Sequence, residues 1–105
     1  KVLTFRPVGI QNISTENPAG YNLSQNFPNP FNPETNINFF VPQTSIVKLN
    51  IYNSLGKKIQ SIFEGKLSSG TYTYKWSASD FPSGVYFYKL EANNFTSVKK
   101  MTLIK

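Results

Sequence analysis

Residues 85–92, Val85-Tyr86-Phe87-Tyr88-Lys89-Leu90-Glu91-Ala92, place Tyr86, Tyr88, Leu90 and Ala92 on one side of an extended chain and Lys89 and Glu91 on the other. Successive side chains of a β-strand leave opposite faces, so a two-residue apolar period marks a strand with one face buried. The pattern recurs in both directions. Upstream, Tyr72, Tyr74 and Trp76 alternate with Thr71, Thr73 and Lys75. Val47, Leu49 and Ile51 alternate with Lys48 and Asn50, and Ile37, Phe39 and Val41 share a face within residues 36–41. Downstream, Met101 and Leu103 oppose Lys100 and Thr102. A weaker run covers residues 58–64 and a short one precedes Phe27. β-branched and aromatic residues dominate these runs, as strands favour.

Turn chemistry separates them: Pro42-Gln43-Thr44-Ser45, Asn53-Ser54-Leu55-Gly56, Ser68-Ser69-Gly70, Phe81-Pro82-Ser83-Gly84 and Asn93-Asn94. No stretch carries a sustained 3.6-residue apolar repeat, so no long helix is predicted. Strand starts recur roughly every ten residues, the spacing of a sandwich rather than a βαβ fold. The predicted fold is all-β: an immunoglobulin-like antiparallel β-sandwich of about seven short strands. Trp76 is expected between the sheets, with the Ile37, Leu49 and Leu90 rows.

A chain of 105 residues has room for one compact core. Aromatics match charged residues at 15% each, which separates this chain from disordered tails. Residues 1–10, KVLTFRPVGI, alternate like a strand, and residues 11–20, QNISTENPAG, have a linker's composition. Residues 1–20 are therefore expected to be the end of a preceding domain plus a linker, with the sandwich over residues 21–105. Lys1 to Phe5 is too short and wrongly flanked for a signal peptide, so any such peptide is expected upstream. No apolar run approaches the roughly 18–20 residues of a transmembrane segment.

The composition excludes much chemistry. There is no Cys and no His, so a disulfide framework, a thiolate metal site and the usual neutral-pH base are unavailable. The five carboxylates are scattered, and the glycines are isolated turn glycines. No enzyme and no cofactor is expected. Asn26, Asn29, Asn32 and Glu34 could offer oxygens to Ca²⁺, but one carboxylate is few, and Asn side chains commonly bond their own backbone in turns. The net charge is +6, with eight lysines against Glu64, Asp80 and Glu91 in residues 56–105. That excess either attracts an anionic partner or is a solvated face whose edge lysines discourage aggregation. Arg6 is the only arginine, so no nucleic-acid partner is expected. The Tyr72, Tyr74, Trp76 row is either core or a platform for sugar rings.

Residues 23–42, LSQNFPNPFNPETNINFFVP, stand apart. Pro28, Pro30 and Pro33 fix φ and restrict Phe27, Asn29 and Asn32, giving a stiff segment with two aromatic anchors, Phe27 and Phe31. Such a segment serves as a lid on the sandwich or as a preformed epitope, since it loses little entropy on binding.

Three blocks of this sequence resemble the type A C-terminal sorting domains of type IX secretion (the Por secretion system sorting family). They are Leu23 to Thr35 with Ile37 and Phe39, then Val47 to Asn53 followed by Leu55 to Ile59, and Gly84 to Ala92 leading to residues 99–105. Gly70 and Trp76 also match, and the resemblance spans residues 21–105. It implies a folded signal on cargo that reaches the periplasm of a Gram-negative bacterium. The outer-membrane translocon then reads the signal, a sortase-like protease removes it, and the covalently attached upstream cargo ends secreted or at the cell surface. The candidate recognition residues are Phe27, Pro28, Asn29, Pro30, Phe31, Asn32, Pro33, Gly84, Lys99, Lys100, Met101, Leu103 and Lys105. Lys99, Lys100 and Lys105 flank an apolar end, and a final strand with a free end is either read by a partner that adds a strand beside it or is an ordinary last strand with edge lysines. The alternative is an accessory adhesion or carbohydrate-binding module, because a sandwich fold alone does not determine function.

Overall fold

The computed structural model describes residues 20–105, so the strand and most of the linker expected over residues 1–20 lie outside the described residues. Seven strands follow in order: β1 (Asn22–Leu23), β2 (Glu34–Val41), β3 (Ser45–Asn53), β4 (Lys58–Leu67), β5 (Gly70–Ser77), β6 (Gly84–Ala92) and β7 (Phe95–Leu103). They form one sheet in the order β1-β2-β5 and a second in the order β4-β3-β6-β7, with every neighbouring pair antiparallel.

The sequence periods map onto these sheets. β2 alternates exposed and buried along its whole length, with Ile37, Phe39 and Val41 inward. Val47, Leu49 and Ile51 of β3 face them, with Tyr88, Leu90 and Ala92 of β6 and Met101 and Leu103 of β7. Full burial of such side chains contributes about 1.5–3 kcal/mol each. A slip of one residue in any strand would turn its row to water, so the core pins the register. Trp76 is 1% exposed among these rows, as the sequence predicts.

Local chemistry fixes the corners. The β3–β4 hairpin turns on Asn53, whose side-chain oxygen accepts from the Leu55 and Lys57 amides at 2.9 and 3.0 Å. Gly56 follows at φ +84°, a conformation that a Cβ disfavours. This tight hairpin keeps β4 beside β3, whereas the constant-type immunoglobulin arrangement places its fourth strand next to the fifth. At the start of β6 the Tyr86 hydroxyl donates to the Pro82 carbonyl at 2.6 Å, the tyrosine corner of immunoglobulin-like sandwiches.

Three residues depart from a fully buried row facing a fully exposed one. Tyr72 and Tyr74 share the inward face with Trp76 but remain half-buried, because among the described residues β5 has a neighbouring strand on one side only. Asn50 lies on the outer face of β3 yet is buried, and its Oδ1 has no partner among the described residues. An unpaired buried acceptor costs about 1–3 kcal/mol.

Candidate functional site

The proline-rich segment is a strap that crosses from one sheet to the other. Just after β1, Phe27 exchanges both backbone hydrogen bonds with Asn36 of β2, at 3.0 and 2.9 Å. Further on, the Phe31 amide donates to the Thr102 carbonyl and the Phe31 carbonyl accepts from the Ile104 amide, both at 2.9 Å, in a parallel bridge to β7. Side chains complete the attachment. Gln25 Nε2 donates to the Lys100 carbonyl at 2.7 Å, and Asn29 Oδ1 accepts from the Thr102 amide at 3.0 Å. The Tyr88 hydroxyl reaches across the core to the Ser24 carbonyl at 2.6 Å.

The strap therefore occupies the outer edge of β7 from Lys100 to Ile104. A partner strand beside this half of the final strand would have to displace the strap, which fills the backbone positions it would need. The X-Pro bonds at Pro28, Pro30 and Pro33 are all cis.

Within the strap, side chains divide by task. Phe31 is 2% exposed and packs against Trp76 at 5.8 Å between ring centroids, in a cluster that continues to Phe81 and Tyr86. Asn26 is buried, and its amide donates to the Pro28 carbonyl and to Thr35 Oγ1 at 3.0 and 2.9 Å. Asn26 thus bonds within its own segment, whereas Asn29 bonds the distant Thr102 rather than its own turn. The Pro33 carbonyl accepts from the Ala78 amide at 2.8 Å. Phe27, by contrast, is 75% exposed, and Pro28, Pro30 and Asn32 are exposed beside it. An aromatic ring is thus held in water by a segment bonded to both sheets.

The remaining candidates lie around the same end or along β7. Gly84 pairs with Leu103 and sits at φ +154°, with open space around the site of an added Cβ, so the backbone and not crowding calls for glycine. Met101 and Leu103 are core residues. Lys105 is exposed, with its ammonium on the Ser79 carbonyl at 2.6 Å and its amide on Ser83 Oγ at 3.0 Å. Lys99 and Lys100 do not form one charged surface. Alternation sends Lys99 to the face of Met101 and Lys100 to the opposite face. The Tyr72 and Tyr74 rings stack on Phe39 at 5.6 and 5.9 Å, inside the sandwich, which removes the sugar platform from that row.

Two features escaped the sequence reading. Gln25 caps β7, which nothing local to residues 23–26 reveals. Phe87 lies on the outer face of β6, and its place between Tyr86 and Tyr88 was the available signal.

Among curated proteins, none matches this chain. A family model described as the secretion system C-terminal sorting domain matches residues 25–105, a span that opens at Gln25, the first strap residue whose side chain holds β7. With that match over most of its length, the chain belongs to the family of C-terminal sorting domains that mark proteins for type IX secretion.

Proposed function

We propose that the outer-membrane translocon of type IX secretion reads this domain at the strap and the adjoining end of β7. The observation that carries the proposal is Phe27, exposed on a segment bonded to both sheets. A backbone fixed before contact loses little conformational freedom on binding, and aromatic anchors dominate interface energies. Pro28, Pro30 and Asn32 extend the contact, while Phe31, Pro33, Gly84, Met101 and Leu103 hold it in place from within. Lys100 and Lys105 supply charge at its border, and Lys99 lines the other face of β7. The domain acts as a signal and not as a catalyst. Cargo attached upstream passes through the periplasm of a Gram-negative cell to the surface or medium, and a sortase-like protease cuts within or near residues 11–20.

The test fuses residues 1–105 to a periplasmic reporter in a type IX-competent cell. Phe27→Ser changes an exposed side chain, so the purified domain should melt within about 0.5 kcal/mol of the parent. Export of the reporter should fall severalfold. Export equal to the parent's would discard the strap as the surface that is read.

A further inference from the structure

The exposed face of the four-stranded sheet carries a feature that core packing does not explain. Outward side chains of β3, β6 and β7 bring Tyr52, Phe87 and Val98 together on three adjacent strands. Tyr52 pairs with Phe87 in register, and Val98 pairs with Lys89, the next outward residue of β6. With Gly56 and Lys89 they line one depression of about 260 Å³. Val98 is 52% exposed, and nothing in the sandwich needs an aromatic ring on this side of β6. Solvated sheet faces carry scattered apolar residues, but contiguous ones around a depression mark contact sites.

The rim is cationic. Lys58 pairs with Tyr52, Lys100 pairs with Phe87, and the Lys89 ammonium stands 5.4 Å from the centre of the Tyr52 ring. The carboxylates of this face are engaged: Glu64 lies 4.0 Å from Lys48, and Glu91 lies 3.8 Å from Lys89. Lys58 and Lys100 form no ion pair among the described residues. The depression is smaller than the ~300–1,000 Å³ of sites that enclose whole small molecules. It suits one side chain, with negative charge on either side to meet the lysines.

We propose that this face docks an acidic protein segment carrying one aromatic or aliphatic anchor. The anchor enters between Tyr52, Phe87 and Val98, and the flanking carboxylates meet Lys58 and Lys100. The surface shares Lys100 with the border of the strap, but Phe87 and Val98 belong to it alone, so variants at those two test it apart from how the strap is read.

The experiment titrates isotope-labelled protein of residues 1–105 with an eight-residue peptide of Asp and Glu around a central Phe, followed by NMR. A second peptide replaces the Phe with Ser, and heparin serves as a polyanion without an anchor. Shifts should concentrate at Tyr52, Phe87, Lys89, Val98 and Lys100. Phe87→Ser and, independently, the milder Val98→Ser should each weaken binding, with about a tenfold loss for Phe87→Ser. Lys100→Glu should weaken it too, whereas Lys75→Glu, on the other sheet, should not. Melting curves show that each variant is folded. Equal binding of the two peptides, unchanged binding by both Phe87→Ser and Val98→Ser, or heparin shifting the same residues regardless of Phe87 would each overturn the proposal.

Discussion

Along the β7 side of the sandwich, residues 25–31 occupy the strand edge with two backbone and two side-chain hydrogen bonds, and Phe31 fills the space behind them. Along the opposite side, β4 and β5 are the last strands of their sheets, with no further strand beside either among the described residues. There Ile59, Ile62, Phe63, Leu67, Tyr72 and Tyr74 stay only partly buried. The contact across that gap is made by side chains, through the Phe63–Tyr74 rings at 5.5 Å and a hydrogen bond from Trp76 Nε1 to Gln60 at 3.0 Å. Open edges invite pairing with other chains, and native proteins blunt them with bulges and lysines. β4 has two register shifts against β3, and β5 carries Lys75. One side is sealed by a dedicated segment and the other is only made unattractive. The most distinctive sequence of the molecule lies on the sealed side, where the last strand is.

The largest expected contrast comes from paired truncations. Phe31→Ala removes a buried ring from the sealed side and should cost about 3–5 kcal/mol. Phe63→Ala on the open side removes a half-buried ring and should cost about half as much, since the neighbouring surface is already wet. Denaturant melts of the two variants measure the difference. Equal losses would show that the strap is no better packed than the β4–β5 gap.

A smaller effect follows from alkaline pH. Burial pushes the Tyr88 hydroxyl up to about 12, opposed by a hydrogen bond with the Asn26 backbone. An unfolded tyrosine titrates near 10, so the folded state holds this proton more tightly. The stabilisation is complete below pH ~10 and is lost as pH rises toward 12, by about 2–3 kcal/mol. Burial also raises Tyr74 and Tyr86, which adds to the decline with the same sign. Thermal melts across this window should fall less steeply for Tyr88→Phe than for the parent. Parallel slopes would remove this hydroxyl from the forces holding Ser24 and the strap.

The smallest effects concern the edge caps. Gln25→Ala and Asn29→Ala each delete one hydrogen bond to β7 and should cost about 1 kcal/mol. Hydrogen exchange of the Thr102 amide should quicken in Asn29→Ala while the Ile104 amide, bonded to the Phe31 carbonyl, remains protected. If both amides exchange as slowly as in the parent, Asn29 does not seal the edge.

Much of the fold was legible in the chain, for a local reason. Alternation within a strand depends only on extended backbone geometry, so Ile37, Leu49, Tyr88 and Met101 could be assigned to the core from their neighbours alone. The turn residues between them bounded the strands, and the proline-rich motif pointed to the family. The tertiary structure alone decided how the edges are finished and what gathers on the outer sheet face. Gln25 meets Lys100 across 75 positions of sequence and Asn29 meets Thr102 across 73, and no local pattern encodes such a partner. The same holds for Tyr52, Phe87 and Val98, which become neighbours only because β3, β6 and β7 are adjacent in one sheet. Side-chain direction is a property of single strands, whereas strand order and edge closure follow from packing the whole core at once.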